Sequence, residues 1–164
     1  IKSHQIFPNS KLPVLIYQRA LLLPKQKHKA CEIIQHLVWH NGWSNTWRNG
    51  IYDFHHYHSN THECMLIAMG WAKVMLGGPG GRTRLSRAGD VIILPAGTAH
   101  RCISSSTDFL CVGAYPQGRN YDILIGQQGE LQAALKRMGK VSIPKADPVF
   151  GKEGFLKTYW SKKK

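Results

Sequence analysis

The segment GIYDFHHYHSNTHECMLIAMG (residues 50–70) holds four histidines within eight positions, from His55 to His62, and follows them with a carboxylate, Glu63. The whole chain has nine histidines. A solvated loop has no use for such a concentration, and an apolar core avoids it. Successive side chains of a strand point to opposite faces. Read as a strand, YDFHHYH places Tyr52, Phe54, His56 and His58 on one face, with Asp53, His55 and Tyr57 on the other. A polar turn at 59–61 lets the chain return as HECMLIAM, which brings Glu63 near His56 and His58. Neutral imidazoles with a carboxylate make a mixed nitrogen and oxygen donor set, which suits a divalent first-row metal.

A second segment, GDVIILPAGTAHRC (residues 89–102), is the candidate for the other half of the site. A buried strand runs into Pro95 and Gly97, a turn follows, and His100 emerges beyond it, aimed inward from a neighbouring strand.

The bulk numbers frame this site. A chain of 164 residues with 43% hydrophobic content fits one domain and buries a core without staples. Lys and Arg number 22 against 9 Asp and Glu, a formal charge of +13. A field of that sign concentrates anionic ligands or nucleic acid. The charge is scattered over KQKHK (25–29), RTRLSR (82–87) and the terminal KKK (162–164), and no nucleic-acid motif accompanies it. Cys31, Cys64, Cys102 and Cys111 form no CxxC pair, so they read as reduced, packed thiols and not as a zinc knuckle. No apolar run approaches the roughly 18 residues of a spanning helix, so no membrane role is expected. The opening IKSHQIFPNS does not read as a signal peptide, and the cytoplasm is the expected location.

Two segments carry helical periodicity. Ala30, Ile33, Ile34, Leu37 and Val38 form one apolar stripe, stopped by Asn41-Gly42, which predicts a helix over about 28–40. Leu131, Ala134, Leu135 and Met138, ended by Gly139, predict a second over about 129–138. The runs VLIY, ALLL, CMLIAM, WAKVML, RTRLS, DVIILP and DFLCVGAY read as short strands between turn signals, the pattern of a sandwich or barrel. GGPGG (77–81) lacks the Gly-Lys-Ser/Thr ending of a phosphate loop and reads as a hairpin turn. VSIPKADPVFGKEGFLKTYW meets Pro or Gly every few residues and reads as extended chain on the surface, anchored by Phe155, Tyr159 and Trp160. Trp43, Trp47 and Trp71 read as core or interface aromatics, and His4, His28, His36 and His40 lie outside any constellation.

The two histidine segments resemble the cupin family. Gly50, His56, His58, Glu63 and Gly70 match the spacing of its first motif, and Gly89, Pro95, Gly97 and His100 match its second. Ser104 replaces the Asn that ends the second motif, a position that is not a metal ligand in the family pattern. More narrowly, NGWSNTWRNGIYDFHHYHS, HE, AGDVIILPAGTAH and VGAYPQGRNYD are similar to the uncharacterised YjlB-like single-domain cupins. The resemblance implies a mainly β fold: a single antiparallel β-barrel of the RmlC-like jelly-roll type, the double-stranded β-helix, with the two helices at its periphery. It implies one cupin domain over 1–164, with a core at about 50–115, N-terminal strands and helix at 12–42, and a C-terminal helix and extended tail at 128–164. It also implies a homodimer, and His56, His58, Glu63 and His100 as ligands of one metal. Three imidazoles and one carboxylate leave two positions of an octahedral shell open, and suit Fe, Mn, Ni, Co, Cu or Zn.

Around that centre, Tyr52, Phe54 and Met65 share the inward faces of the ligand strands, Cys102 follows His100 by two, and Tyr115 sits at the rim, so these five are the candidate pocket lining. His55 and His62 face away from the ligands; they are either polar surface or interface contacts, or supports to the site or alternative ligands. The functional expectation is a metal-binding cupin with a small anionic or chelating metabolite, working as a metal-dependent oxygenase or isomerase. The alternative is a module that binds or senses its ligand without turnover. A third and weaker reading is nucleic-acid binding through the basic surface.

Overall fold

The computed structural model describes residues 6–161. The chain builds eight strands and three helices: β1 (Leu15–Tyr17), α1 (Lys27–His40), β2 (Trp43–Asn49), β3 (Glu63–Met69), β4 (Trp71–Leu76), β5 (Arg82–Arg87), β6 (Val91–Leu94), β7 (His100–Ser105), β8 (Leu110–Pro116), α2 (Glu130–Met138) and α3 (Phe155–Trp160). The strands form two antiparallel sheets, one in the order β1-β6-β3-β8-β2 and one in the order β5-β4-β7. Among the described residues the hydrogen-bonded order does not close, so the single barrel expected from the sequence is two sheets. Between β2 and β3 residues 50–62 form no strand, only isolated bridges.

The larger sheet is buried on both faces, which explains why VIIL of β6 has no polar alternation. On one face Cys64, Leu66, Val91, Ile93 and Val112 pack against Ala30, Cys31, Ile34 and Val38 of α1 and against Leu156 and Trp160 of α3. On the other face Met65, Ile67, Ile92 and Cys111 meet Ala72, Val74 and Leu76 of the small sheet. Gly113 of β8 is required by packing: a Cβ there would lie 2.0 Å from the Trp47 ring.

Four local readings change. ALLL (20–23) forms no strand; Arg19 takes φ 49° and turns the chain away after β1. WSNTWRN, too polar to read as a strand, is β2; a register shift between Ser44 and Trp47, where Asn45 has φ 55°, leaves Trp43 in the core on the helix side and Trp47 on the side between the sheets. The C-terminal stretch is not wholly extended. Asp147 accepts the backbone N–H groups of Val149 (2.9 Å), Phe150 (3.1 Å) and Leu156 (3.3 Å) and the Tyr17 hydroxyl (2.5 Å), and so caps α3 from outside it. Trp160 is fully buried at the end of that helix, while Phe155 and Tyr159 are exposed. GGPGG is the β4–β5 turn. No helix of the described residues is long and apolar enough to cross a membrane.

Candidate metal centre

The site is built on three pieces of chain. β3 begins at Glu63 and β7 begins at His100. The third piece, YDFHHYH, is not a strand. It is pinned by two isolated bridges: His56 exchanges backbone hydrogen bonds with His100 (3.1 and 2.9 Å), and Tyr57 with Leu124 (2.9 and 3.0 Å). The turn before β7 is tied to the same piece. Thr98 N–H donates to Pro95 O, Gly97 takes φ 88° at the third position, and Gly97 N–H donates to His58 O at 2.7 Å.

His56, His58 and His100 offer ring nitrogens that all lie within 4.8 Å of one another. Glu63 Oε2 sits 3.3 Å from His58 Nε2 and 3.3 Å from His100 Nε2. The four side chains are buried, with relative exposures of 4%, 6%, 1% and 2% for His56, His58, His100 and Glu63. Each ring turns its other nitrogen to a backbone carbonyl: His56 Nδ1 to Phe54 O (3.1 Å), His58 Nδ1 to Asp122 O (2.5 Å) and His100 Nδ1 to Thr98 O (3.1 Å). A carbonyl only accepts, so each Nδ1 carries the hydrogen and each neutral ring leaves its Nε2 as a lone pair. The Nε2 atoms of His58 and His100 face Glu63 Oε2, and a proton on either ring pairs with that oxygen. A cation engages all of these groups at once, and the donor set fits a divalent transition metal.

The electrostatics follow from the same geometry. Burial would raise the pKa of Glu63, but the neighbouring His58 and His100 outweigh it and hold the carboxyl well below its usual range. Burial would lower the pKa of His58, but Glu63 outweighs it and raises it. His56 is pushed down to about 3, by burial first and then by His100. Tyr115 donates to Glu63 Oε1 at 2.7 Å and accepts from Trp47 Nε1–H at 2.8 Å, a chain that fixes which oxygen faces the imidazoles. Burial and then Glu63 raise the pKa of the Tyr115 phenol, so it remains a donor. Asp122 supports His58 further: its carboxylate accepts Ser59 N–H at 2.6 Å and pairs with Arg137 at 3.2 Å.

The cavity over the cluster has a volume of about 150 Å³. Tyr52, Met65 and Tyr115 line it, as do Trp47, Ile51 and Tyr121, which the sequence reading did not place there. Tyr121 stacks on Tyr115 with ring centroids 4.4 Å apart. Phe54 does not line it. Phe54 stacks on Tyr52 with ring centroids 4.8 Å apart but is exposed, and lies beside His55, Ile123 and Ile125 in a separate depression. Cys102 does not line it either; it packs against the core between the sheets, its Sγ 3.4 Å from Ser104 O. All four cysteines are free. His55 and His62 do not reach the cavity. His55 lies against the Phe7 ring, and His62 is buried against Trp160 and accepts Ala96 N–H at 2.9 Å.

No protein-family model matches the chain. Likeness to solved structures is partial. Pumpkin seed globulin aligns with a TM-score of 0.41 at 19% identity, over 59% of this chain and 28% of that one. An oxalate decarboxylase of Bacillus subtilis described for its Mn(II) centres aligns with a TM-score of 0.38 at 23% identity, over 56% and 26%. The chain thus spans about a quarter of those proteins, and overlaps of that quality carry no functional inference. Sequence likeness is stronger. The uncharacterised protein YjlB of Bacillus subtilis (strain 168) is 37% identical over 150 residues, which cover 92% of this chain and 87% of that one. With both histidine motifs in place and identity at that level along nearly its whole length, the chain belongs to the YjlB-like cupins.

Proposed function

We propose that this single cupin domain, with its core at about 50–115, holds one divalent transition metal on His56, His58, Glu63 and His100 and receives a small anionic or chelating metabolite in the cavity above it. The observation that carries the reading is a convergence of donors: three buried imidazoles, each with its Nδ1 held by a backbone carbonyl, beside the buried Glu63 carboxylate. Bound there, the metal supplies a Lewis acid to a chelated carbonyl or hydroxy acid. The chain's own residues do the rest. Phe54, Asp122 and Thr98 carbonyls orient the rings, Tyr115 orients the carboxylate, and Ile51, Met65 and Trp47 give the cavity an apolar wall opposite its polar groups. The cavity volume of about 150 Å³ favours a ligand of a few non-hydrogen atoms.

The test is the double change His56→Ala/His58→Ala, purified without a nickel resin. Metal content by elemental analysis is expected to drop at least tenfold, while far-ultraviolet circular dichroism keeps the β signature. Unchanged metal content would remove the proposed ligand set. Oxygen uptake or product formation with a panel of chelating acids, sugars and thiols then separates an oxygenase or isomerase from a module that only binds.

A further inference from the structure

Besides His56, His58, Glu63 and His100, the wall of the cavity holds a single charged residue among those described, Arg48. Its guanidinium does not face the ligands. Arg48 pairs with Val112 across β2 and β8, and Val112 packs on the helix side of the larger sheet. There the guanidinium donates to Gln35 Oε1 of α1, from Nε at 3.0 Å. Met65, two residues on from Glu63, packs on the other face of that sheet and lines the cavity. The free end of a chelated ligand therefore meets the uncharged side chains of Trp47, Ile51, Tyr52, Met65 and Tyr121. Tyr52 lies edge-on to His56 and Tyr121 edge-on to His58, with ring centroids 5.1 Å apart in each pair. Both tyrosines are partly exposed, which places them at the mouth.

This wall runs against the charge of the chain as a whole. A formal charge of +13 attracts multiply charged anions at long range. Exposed charges more than about 8–10 Å away are screened at physiological salt, whereas a carboxylate taken out of water loses its hydration at the spot unless a cation meets it there. The neighbouring histidines keep Glu63 ionised. A divalent metal held by one ionised carboxylate and three neutral imidazoles has one net positive charge, which a single ligand carboxylate neutralises. A second carboxylate on the ligand meets only aromatic and aliphatic side chains. On the metal reading above, we propose that the site takes a monoanionic chelate, a hydroxy or oxo monocarboxylate whose remaining substituent is uncharged, and rejects the dicarboxylate of the same shape.

The experiment uses the purified protein loaded with Co(II), titrated separately with α-hydroxyisovalerate and with tartronate at constant ionic strength. Both acids carry a hydroxyl and a carboxylate on one carbon; they differ in an isopropyl group against a second carboxylate of similar size. Tartronate offers the free ion an additional charged donor, so a preference for α-hydroxyisovalerate comes from the protein. Binding is read by calorimetry and by the visible absorption of Co(II). Expected are at least tenfold tighter binding of α-hydroxyisovalerate, and a narrowing of that preference by at least fivefold in Tyr52→Lys, which sets a cation at the mouth. The Tyr52 ring is half exposed, and the hydrogen bond at this position is made by its backbone carbonyl, which accepts Cys102 N–H at 2.8 Å, so the variant keeps the fold. Co(II) uptake without binding of either acid, a preference below tenfold or reversed, or an unchanged preference in Tyr52→Lys overturns the inference and leaves the metal centre in place. Failure to take up Co(II) removes the metal centre itself, and the inference with it.

Discussion

Replacing Tyr115 with Phe removes a single oxygen and tests how the site is oriented. That oxygen sits between two partners, giving a hydrogen to Glu63 Oε1 at 2.7 Å and taking one from Trp47 Nε1 at 2.8 Å. Glu63 is 2% exposed, so water does not replace the lost donor. A hydrogen bond to a buried charge contributes about 1.5–3 kcal/mol, and an orphaned indole N–H adds about 1 kcal/mol of cost. The loss of about 3 kcal/mol lowers the melting temperature by roughly 6–12 °C in a domain of this size. With Oε1 untethered the carboxylate no longer holds Oε2 toward the imidazoles, and metal affinity falls by about 10–100-fold. The assay is competition with a chelator for Mn(II) or Co(II), run beside calorimetry on the chelator-treated protein. Trp47→Phe is the companion variant: it leaves the bond to Glu63 intact, so it lowers stability and leaves metal affinity within about threefold of the parent. A Tyr115→Phe protein with unchanged metal affinity would refute the orienting role.

Two more outcomes follow from the geometry. Asp147→Ala strips acceptors from three backbone N–H groups and the Tyr17 hydroxyl and is expected to cost about 3–5 kcal/mol, read as a shift in the urea midpoint with an unchanged slope; a shift below about 1 kcal/mol would contradict its capping of α3. The pKa of His62 is lowered by burial from 6.5 to about 4, so the unfolded chain takes up a proton there before the folded one does. Stability of the metal-free protein is complete above pH 6.5 and falls as pH drops through that window, by about 3 kcal/mol at pH 4 from this residue. Urea titrations of the parent and His62→Gln at pH 7 and pH 4.5 measure it, and parallel losses in the two proteins would remove His62 as the cause.

Some of this was legible in the chain before any coordinates. The spacing of Ala30, Ile33, Ile34, Leu37 and Val38 presents one stripe, of which α1 buries Ala30, Ile34 and Val38, together with Cys31, against the larger sheet, while Ile33 is exposed. GGPGG turns because it offers glycines where φ is positive, at Gly77, Gly78 and Gly80. The donor types of the site, and the pairing of a histidine segment with a carboxylate and a later histidine, are local facts of order and spacing. β2 was hidden because Ser44, Asn45 and Asn49 mask the two tryptophans, and α3 because its cap, Asp147, stands outside the helix.

What tertiary structure decided is the state of each donor. The Nδ1 of His56 and of His100 is held by a carbonyl two residues earlier in the chain, but for His58 that carbonyl lies 64 residues away, at Asp122. The orientation of Glu63 depends on Tyr115, 52 residues on, whose hydroxyl also accepts from Trp47, 68 residues back. Phe54 leaves the cavity where bridges to His100 and Leu124 replace a regular strand at 52–58, and Cys102 leaves it because β7 turns that side chain to the core between the sheets. Order along the chain fixes which chemical groups are present; the protonation and aim of each depend on partners that only folding brings within hydrogen-bonding distance.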